Sequence, residues 1–310
     1  MKIFDNANYN FIRWRWHAII LSLVVIGAGV VMMMVRGLPL GIDFSGGTMV
    51  IVQFSQDVNE DQVRSAVDAA IPGDKVIQRY GDATARQILI RLPQAVATEQ
   101  GTALEQGAQG IISALQKAGL PKFEVISTEI VGPVIGADLQ KRGIYATIAS
   151  LLAITVYIGF RFRFSFAVGA IAATLHDVFV TLAFLTFFGY DLSLNVVAAI
   201  LAITGYSVND TIVIFDRVRE NLKTKRRDSL DAVVNASVNQ TLSRTIITAG
   251  TTFLAVLSLF LFGGEVLEGF AFTMLVGIIS GTYSTIFIAA AIATILGGKQ
   301  AAGRQGSRKA

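Results

Sequence analysis

The chain has 310 residues, 53% of them apolar or aromatic and only 15% charged, with a formal net charge of +4 and a mean hydropathy of +0.59. Soluble proteins carry about 25% charged residues, so this balance argues against an ordinary water-soluble protein and places much of the chain in lipid or in an unusually large dry core. The absence of cysteine and the presence of only two histidines, His17 and His176, exclude a disulfide framework, a thiolate metal site and a His-rich metal cage. The basic residues lie in short tracts beside apolar runs, which suits membrane orientation rather than nucleic-acid binding.

The first apolar run, 17–35, follows Lys2, Arg13 and Arg15, as the core of a signal peptide would. No A-x-A-like cleavage site follows and the run is long, so an uncleaved transmembrane helix is predicted after an N-terminal segment, 1–16. Trp14 and Trp16 suit either an interfacial anchor or packing against a neighbour.

Residues 37–142 form the one sizeable polar segment. Alternation over 47–55, with Val50, Val52 and Phe54 set against Met49, Ile51 and Gln53, predicts a strand. Asn59 with Gln62 three residues on predicts a capped helix over 60–70, stopped by Pro72-Gly73. Strands are predicted over 75–80 and 86–92 about a Gly81-Asp82 turn. A second helix is predicted over 98–118, ended by Gly119 and Pro121, and a last strand over 122–130. The order βαββαβ predicts a small α+β, ferredoxin-like domain.

Five more apolar stretches follow, near 143–160, 164–188, 194–215, 244–262 and 268–296. With the first they give six transmembrane helices, since about 20 residues cross a bilayer. The fold class predicted is a polytopic α-helical membrane protein, with a five-helix transmembrane bundle over 143–296 and a basic tail over 297–310. Basic residues precede the first span, fall between the second and third (Arg161, Arg163) and between the fourth and fifth (Arg217, Arg219, Lys223, Lys225, Arg226, Arg227), and fill the tail. The short connections 189–193 and 263–267 have neither Lys nor Arg. The positive-inside bias therefore predicts cytoplasmic termini and an extracytoplasmic 37–142 segment.

Ionisable residues inside spans carry the functional signal, because a charge at the bilayer centre costs about 2.5–3.5 kcal/mol on insertion scales. The third span has His176-Asp177 near its middle, either a proton-handling pair or a polar contact that fixes helix packing. The fourth has Gly205-Tyr206-Ser207-Val208-Asn209-Asp210-Thr211 and then Asp216-Arg217. Asp210 is expected roughly 9 Å inside the span at 1.5 Å per residue. Burial disfavours the charged form of a carboxylate, the property a proton relay needs; a structural ion pair is the other reading. Asp216, beside basic residues, suits a boundary salt bridge. The fifth span opens with Arg244, and Thr248, Thr251 and Thr252 continue its face. Arginine keeps its proton, so Arg244 serves as a counter-charge to a carboxylate or snorkels to the interface. Thr273, Gly277, Gly281 and Ser284 form a small-residue packing face on the sixth span.

The Gly41-Ile42-Asp43-Phe44-Ser45-Gly46-Gly47 run lacks a following Lys-Ser/Thr and leads into a strand, so it is not a P-loop. There is no G-x-S-x-G elbow and no H-E-x-x-H. No cofactor and no enzymatic activity are predicted.

Taken together, these motifs resemble the SecD/SecF protein-export family. The resemblance lies in Gly41 to Gly47 with Thr48, in Val131-Gly132-Pro133-Val134-Ile135-Gly136, and in Leu175-His176-Asp177. Gly205 to Thr211 with Ile212-Val213, then Phe215-Asp216-Arg217-Val218-Arg219-Glu220-Asn221, resemble its SecF branch in particular. Thr241-Leu242-Ser243-Arg244-Thr245, Gly250-Thr251-Thr252 and Phe262-Gly263-Gly264 complete the pattern. The resemblance implies a six-span half of a resistance-nodulation-division-type core in a bacterial inner membrane. It implies pairing with SecD, association with the SecY-SecE-SecG channel and in many bacteria with YajC and YidC, and use of the proton-motive force late in preprotein export. It also implies roles in proton flow for Asp210, beside Asn209, and for Arg244. Half of a small-molecule or lipid transporter of the same superfamily, or a passive assembly subunit, are the competing readings.

Overall fold

In the computed structural model, residues 8–38, 40–73, 75–80, 85–93, 101–225 and 227–297 are described. The expected Gly81-Asp82 turn, residues 98–100 of the second expected helix, Lys2, Arg226 and the tail beyond 297 lie outside them. The chain divides into two units, Leu40–Tyr145 on one hand and Met1–Pro39 with Ala146–Ala310 on the other.

The α+β unit begins with α1 (Ile42–Ser45), a single helical turn. The strands are β1 (Gly47–Phe54), β2 (Val76–Tyr80), β3 (Gln87–Pro93) and β4 (Phe123–Val131), with α2 (Glu60–Ala70) and α3 (Gly101–Lys117) between them. The sheet is antiparallel throughout, in the order β2-β3-β1-β4, the ferredoxin-like arrangement. Both partners of the expected capping box are in place. Asn59 Oδ1 accepts from the Asp61 amide at 3.2 Å, and the Asn59 amide donates to Gln62 Oε1 at 3.2 Å. The alternation of β1 decides its two faces. Val50, Val52 and Phe54 pack with Val63, Val67, Ile111 and Leu115 of the helices into the core of the unit, while Gln53 is exposed.

The sequence gives no period for α1, since four residues are too few to show one; its glycines locate it instead. Gly46 and Gly47 have φ of +68° and +123°, which only glycine adopts without strain. They turn the chain from α1 into β1.

The second unit contains α4 (Arg15–Arg36), entered through a 3₁₀ turn at Ile12–Trp14, then the greater part of α5 (Pro133–Arg161), α6 (Phe164–Phe188), α7 (Leu194–Thr224), α8 (Leu230–Phe262) and α9 (Glu265–Ser284). A π-helical turn, Thr285–Ala289, follows α9, and the helix continues to Gly297. Six helices among the described residues are long and apolar enough to span a membrane.

Three of them extend well beyond the expected spans. α5 starts at Pro133, ahead of the expected 143; the extensions of α7 and α8 belong to the second unit. α7 continues past 215 to Thr224, and α8 starts at Leu230, well before 244. Hydropathy sees only the part that meets lipid; these two extensions are amphipathic and bury Val218, Val233, Val234 and Val238 against one another and Phe215. Ser229 caps α8 by accepting from the Ala232 amide at 3.2 Å. The N-terminal segment is tied to the same extension. The Tyr9 amide donates to Asn239 Oδ1 and the Phe11 amide to Asn235 Oδ1, both at 2.9 Å.

Small residues set the helix crossings. A methyl added at Gly29 of α4 would collide with Ala183 of α6, and one at Gly277 of α9 with Ile203 of α7. One at Gly281 would stand 3.0 Å from Ser207 Cβ.

Candidate functional site

Two carboxylates in the bundle have contrasting surroundings. Asp177, at mid-length of α6, is 1% exposed. Ser207 Oγ of α7 and Ser284 Oγ of α9 donate to its Oδ2 at 2.6 and 2.8 Å. Ser280 Oγ of α9 donates to Oδ1 at 2.7 Å, and His176 Nδ1 lies 3.1 Å from the same oxygen. His176 Nε2 is 2.8 Å from Ser22 Oγ of α4, and the ring stacks on Tyr283 with centroids 6.0 Å apart. Tyr283 Oη in turn donates to the Ala18 carbonyl at 2.7 Å. Four groups thus fill the acceptor positions of one carboxylate, and side chains of α4, α6, α7 and α9 join in one polar network. Next to it, Thr211 and Thr285 hydroxyls meet at 3.0 Å where the π-helical turn begins.

The spacing that builds this network is simple. Ser280 and Ser284 are four residues apart and share a helix face. The reading of the sixth span as a small-residue face holds for Gly277 and Gly281, but Ser284 on that face is also a hydrogen-bond donor. Ser207 stands in the motif around Asp210, whereas Ser22 and Ser280 carry no signal in the sequence, because a single serine in an apolar helix is uninformative until its buried partner is known.

Asp210 lies one turn beyond Ser207 on α7 and is only partly buried. Thr245 Oγ1 of α8 donates to its Oδ1 at 2.8 Å, while Oδ2 is shielded from solvent and has no hydrogen-bond partner among the described residues. Arg244, next to Thr245, is exposed and makes no salt bridge to Asp210 among the described residues. Asn209 and Gly205 are exposed on the adjoining side of α7, and Thr248 and Thr251 on α8. Ser207, one turn before Asp210 on the same helix, does not share its site but turns into the core toward Asp177.

Asp216 forms a boundary ion pair. Arg161 Nη2, at the end of α5, donates to both of its oxygens at 2.7 and 2.8 Å.

The glycine-rich motifs do different work. Within the α+β unit, Gly132 and Pro133 start α5, and the Gly132 carbonyl accepts from the Gly136 amide at 2.9 Å. A methyl at Gly136 would stand 3.2 Å from the Gly46 amide nitrogen and 3.5 Å from the Asp43 carbonyl oxygen. Gly41 opens α1 as its N-cap, its carbonyl accepting from the Phe44 and Ser45 amides at 3.1 and 3.0 Å. Two motifs some ninety positions apart in the sequence thus meet backbone to backbone, which their glycines permit. No group of three or more His, Asp or Glu suited to a metal ion occurs among the described residues.

Comparison with known proteins matches these features. Residues 111–299 match the family described as protein export membrane protein SecD/SecF, C-terminal, and residues 31–58 match the SecD/SecF GG motif. A protein translocase subunit SecF from Desulfurispirillum indicum is 43% identical over 90% of this chain and 88% of its own length. Those from Rhodothermus marinus and Escherichia coli O157:H7 are 41% and 40% identical, covering 98% and 94% of this chain and 98% and 89% of their own. Among solved structures, SecDF from Thermus thermophilus, described as a translocon-associated membrane protein, superposes with a TM-score of 0.83 at 32% identity over 97% of this chain. SecDF in a super-membrane-facing form gives 0.70 at 33% identity over 98%. The chain spans 40% of the length of each of these SecDF chains. With both family motifs, six apolar helices and the ferredoxin-like unit in place, the chain belongs to the SecD/SecF family of protein-export membrane proteins, in its SecF branch.

Proposed function

We propose that this chain pairs with a SecD subunit and uses the proton-motive force to assist a late stage of preprotein export through the SecY-SecE-SecG channel. In this reading both termini are cytoplasmic, the α+β unit is extracytoplasmic and the membrane is the bacterial inner membrane. Asp210 is the proton carrier, Arg244 its counter-charge and Asn209 a polar neighbour. The observation that carries the reading is the half-satisfied Asp210 carboxylate, with Oδ1 held by Thr245 and Oδ2 without a partner among the described residues. A buried polar atom left unpaired costs about 1–3 kcal/mol, and a polar face at membrane depth is expensive unless another protein surface covers it. A SecD-type half, the part of SecDF that this chain does not span, is the natural cover.

The mechanism follows from electrostatics. Protonation of Asp210 removes its attraction to Arg244 and to any partner cation. α7 and α8, which Thr245 ties together through Asp210, then shift against each other and move the extracytoplasmic unit. One proton crossing 100 mV releases about 2.3 kcal/mol, enough to bias a two-state element roughly 50-fold. His176-Asp177 is the internal pivot in this scheme, and Asp216 holds α7 to α5 through Arg161.

The test is completion of preprotein translocation in vesicles with SecD present, with and without a proton gradient. Asp210→Asn and Arg244→Ala are expected to remove the gradient-dependent part while membrane assembly stays normal. Gradient-dependent completion at wild-type rate in Asp210→Asn would sink the proposal.

A further inference from the structure

We propose that the end of the bundle where α5, α6 and α7 meet is a binding site for the phosphate of an anionic phospholipid. A recess of about 600 Å³ opens there, and its polar lining is Arg161, Arg163, Arg219 and Lys223. Arg161 is spent on Asp216. Arg163 and Arg219 are exposed, and their side chains make no ion pair or hydrogen bond among the described residues. Arg163 is also the N-cap of α6, a 25-residue helix whose start has no side-chain cap. Such a helix start adds partial positive charge and free amides that favour an anion.

The remaining walls identify the ligand as a lipid rather than a free anion. Phe162, Phe166 and Phe215 line the recess, and Phe166 and Phe215 stack edge to face at 5.1 Å. Just outside it, Phe160 and Phe164 are 90% and 71% exposed. The depth is that of headgroups. The apolar spans Val134–Arg161 and Phe164–Phe188 end and begin at this point, so cations sit where phosphates lie and aromatic rings where acyl chains begin. A soluble phosphate would use the cations and ignore the rings. Basic pockets between membrane helices are suited to anionic headgroups on these grounds.

The test uses the whole purified chain, delipidated in detergent, with phosphatidylglycerol or phosphatidylcholine added and retention read by native mass spectrometry. The wild type is expected to retain phosphatidylglycerol in preference to phosphatidylcholine. Arg163→Gln with Arg219→Gln is expected to weaken phosphatidylglycerol retention roughly 25-fold, about five-fold per charge, and to leave phosphatidylcholine unchanged. Arg163→Lys with Arg219→Lys keeps both charges and is expected to retain the lipid. Arg217→Gln, whose guanidinium binds Gln240 and Glu220 instead, is expected to behave as wild type. If the double Gln variant fails to assemble, Arg219→Gln alone carries the test, with a five-fold loss expected. Equal retention of the two lipids by the wild type, or undiminished retention in the Gln variant, overturns the proposal. Full displacement by millimolar inorganic phosphate also overturns it, by assigning the site to a free anion.

Discussion

Asp177 and Asp210 lie on adjacent helices of one bundle, yet their surroundings oppose each other. Asp177 accepts from three serines and faces His176, and is sealed from solvent. Asp210 has one donor, Thr245, and borders an open polar face. A carboxylate that accepts from serines of two neighbouring helices fixes those helices in one arrangement. One with a vacant oxygen can change partner at little cost. The first is built to hold and the second to switch, although sequence position alone makes them equivalent: each is an acidic residue within a membrane span.

The largest predicted effect breaks the closed site. Asp177→Ala orphans Ser207, Ser280, Ser284 and His176 in a dry core and is expected to destabilise the bundle by about 3–5 kcal/mol, since each buried donor left without an acceptor costs about 1–3 kcal/mol and some find other partners. Thermal unfolding of the intact chain in nanodiscs measures it. A loss below about 1 kcal/mol would mean that the network is not what ties these helices.

A smaller loss is expected where α7 and α9 touch. Gly277→Leu drives a side chain into Ile203 and is expected to cost about 1–3 kcal/mol by overpacking. The same unfolding measurement checks it. Because Ser207 and Ser280 lie on these two helices, the variant also separates donors to Asp177. The double variant with Asp177→Ala should therefore lose less than the sum of the two single losses.

The contrast between the carboxylates could not be read from the sequence. Six spans, the βαββαβ order and the Asn59 capping box were legible because each rests on a local pattern: an apolar window, an alternation, a cap three residues from its partner. Asp210 and Arg244 stood out because charge in an apolar run is costly wherever it occurs. What distinguishes Asp177 is the approach of Ser207, Ser280 and Ser284 from two other helices, with Ser22 of a third on His176, and no local period encodes that. The amphipathic starts and ends of α7 and α8 were missed for a related reason. They bury apolar residues against each other rather than in lipid, so a hydropathy window passes over them.

Asp210→Asn sharpens the comparison from the other side. The amide keeps an oxygen for Thr245 and removes a charge from a half-open site, so unfolding is expected to change by no more than about 1 kcal/mol while gradient-driven export is lost. A stability loss as large as that of Asp177→Ala would place Asp210 in the scaffold and remove the distinction between the two.

The smallest effect expected lies in the α+β unit, where another pair of carboxyl groups is set close together. Glu129 on β4 is half-buried opposite Met49. Burial first, and the Asp43 carboxylate second, push its pKa above the ordinary 4.5. A carboxyl that holds its proton more tightly when folded adds stability below the ordinary value, and that contribution is lost as pH rises through the raised one. Glu129→Gln is permanently neutral, so it is expected to slow hydrogen exchange of the β1 and β4 amides at pH 8 and to change it little at pH 4. Equal protection at both pH values would show that the variant acts through packing, and that the negative charge of Glu129 places no strain on the motif containing Asp43.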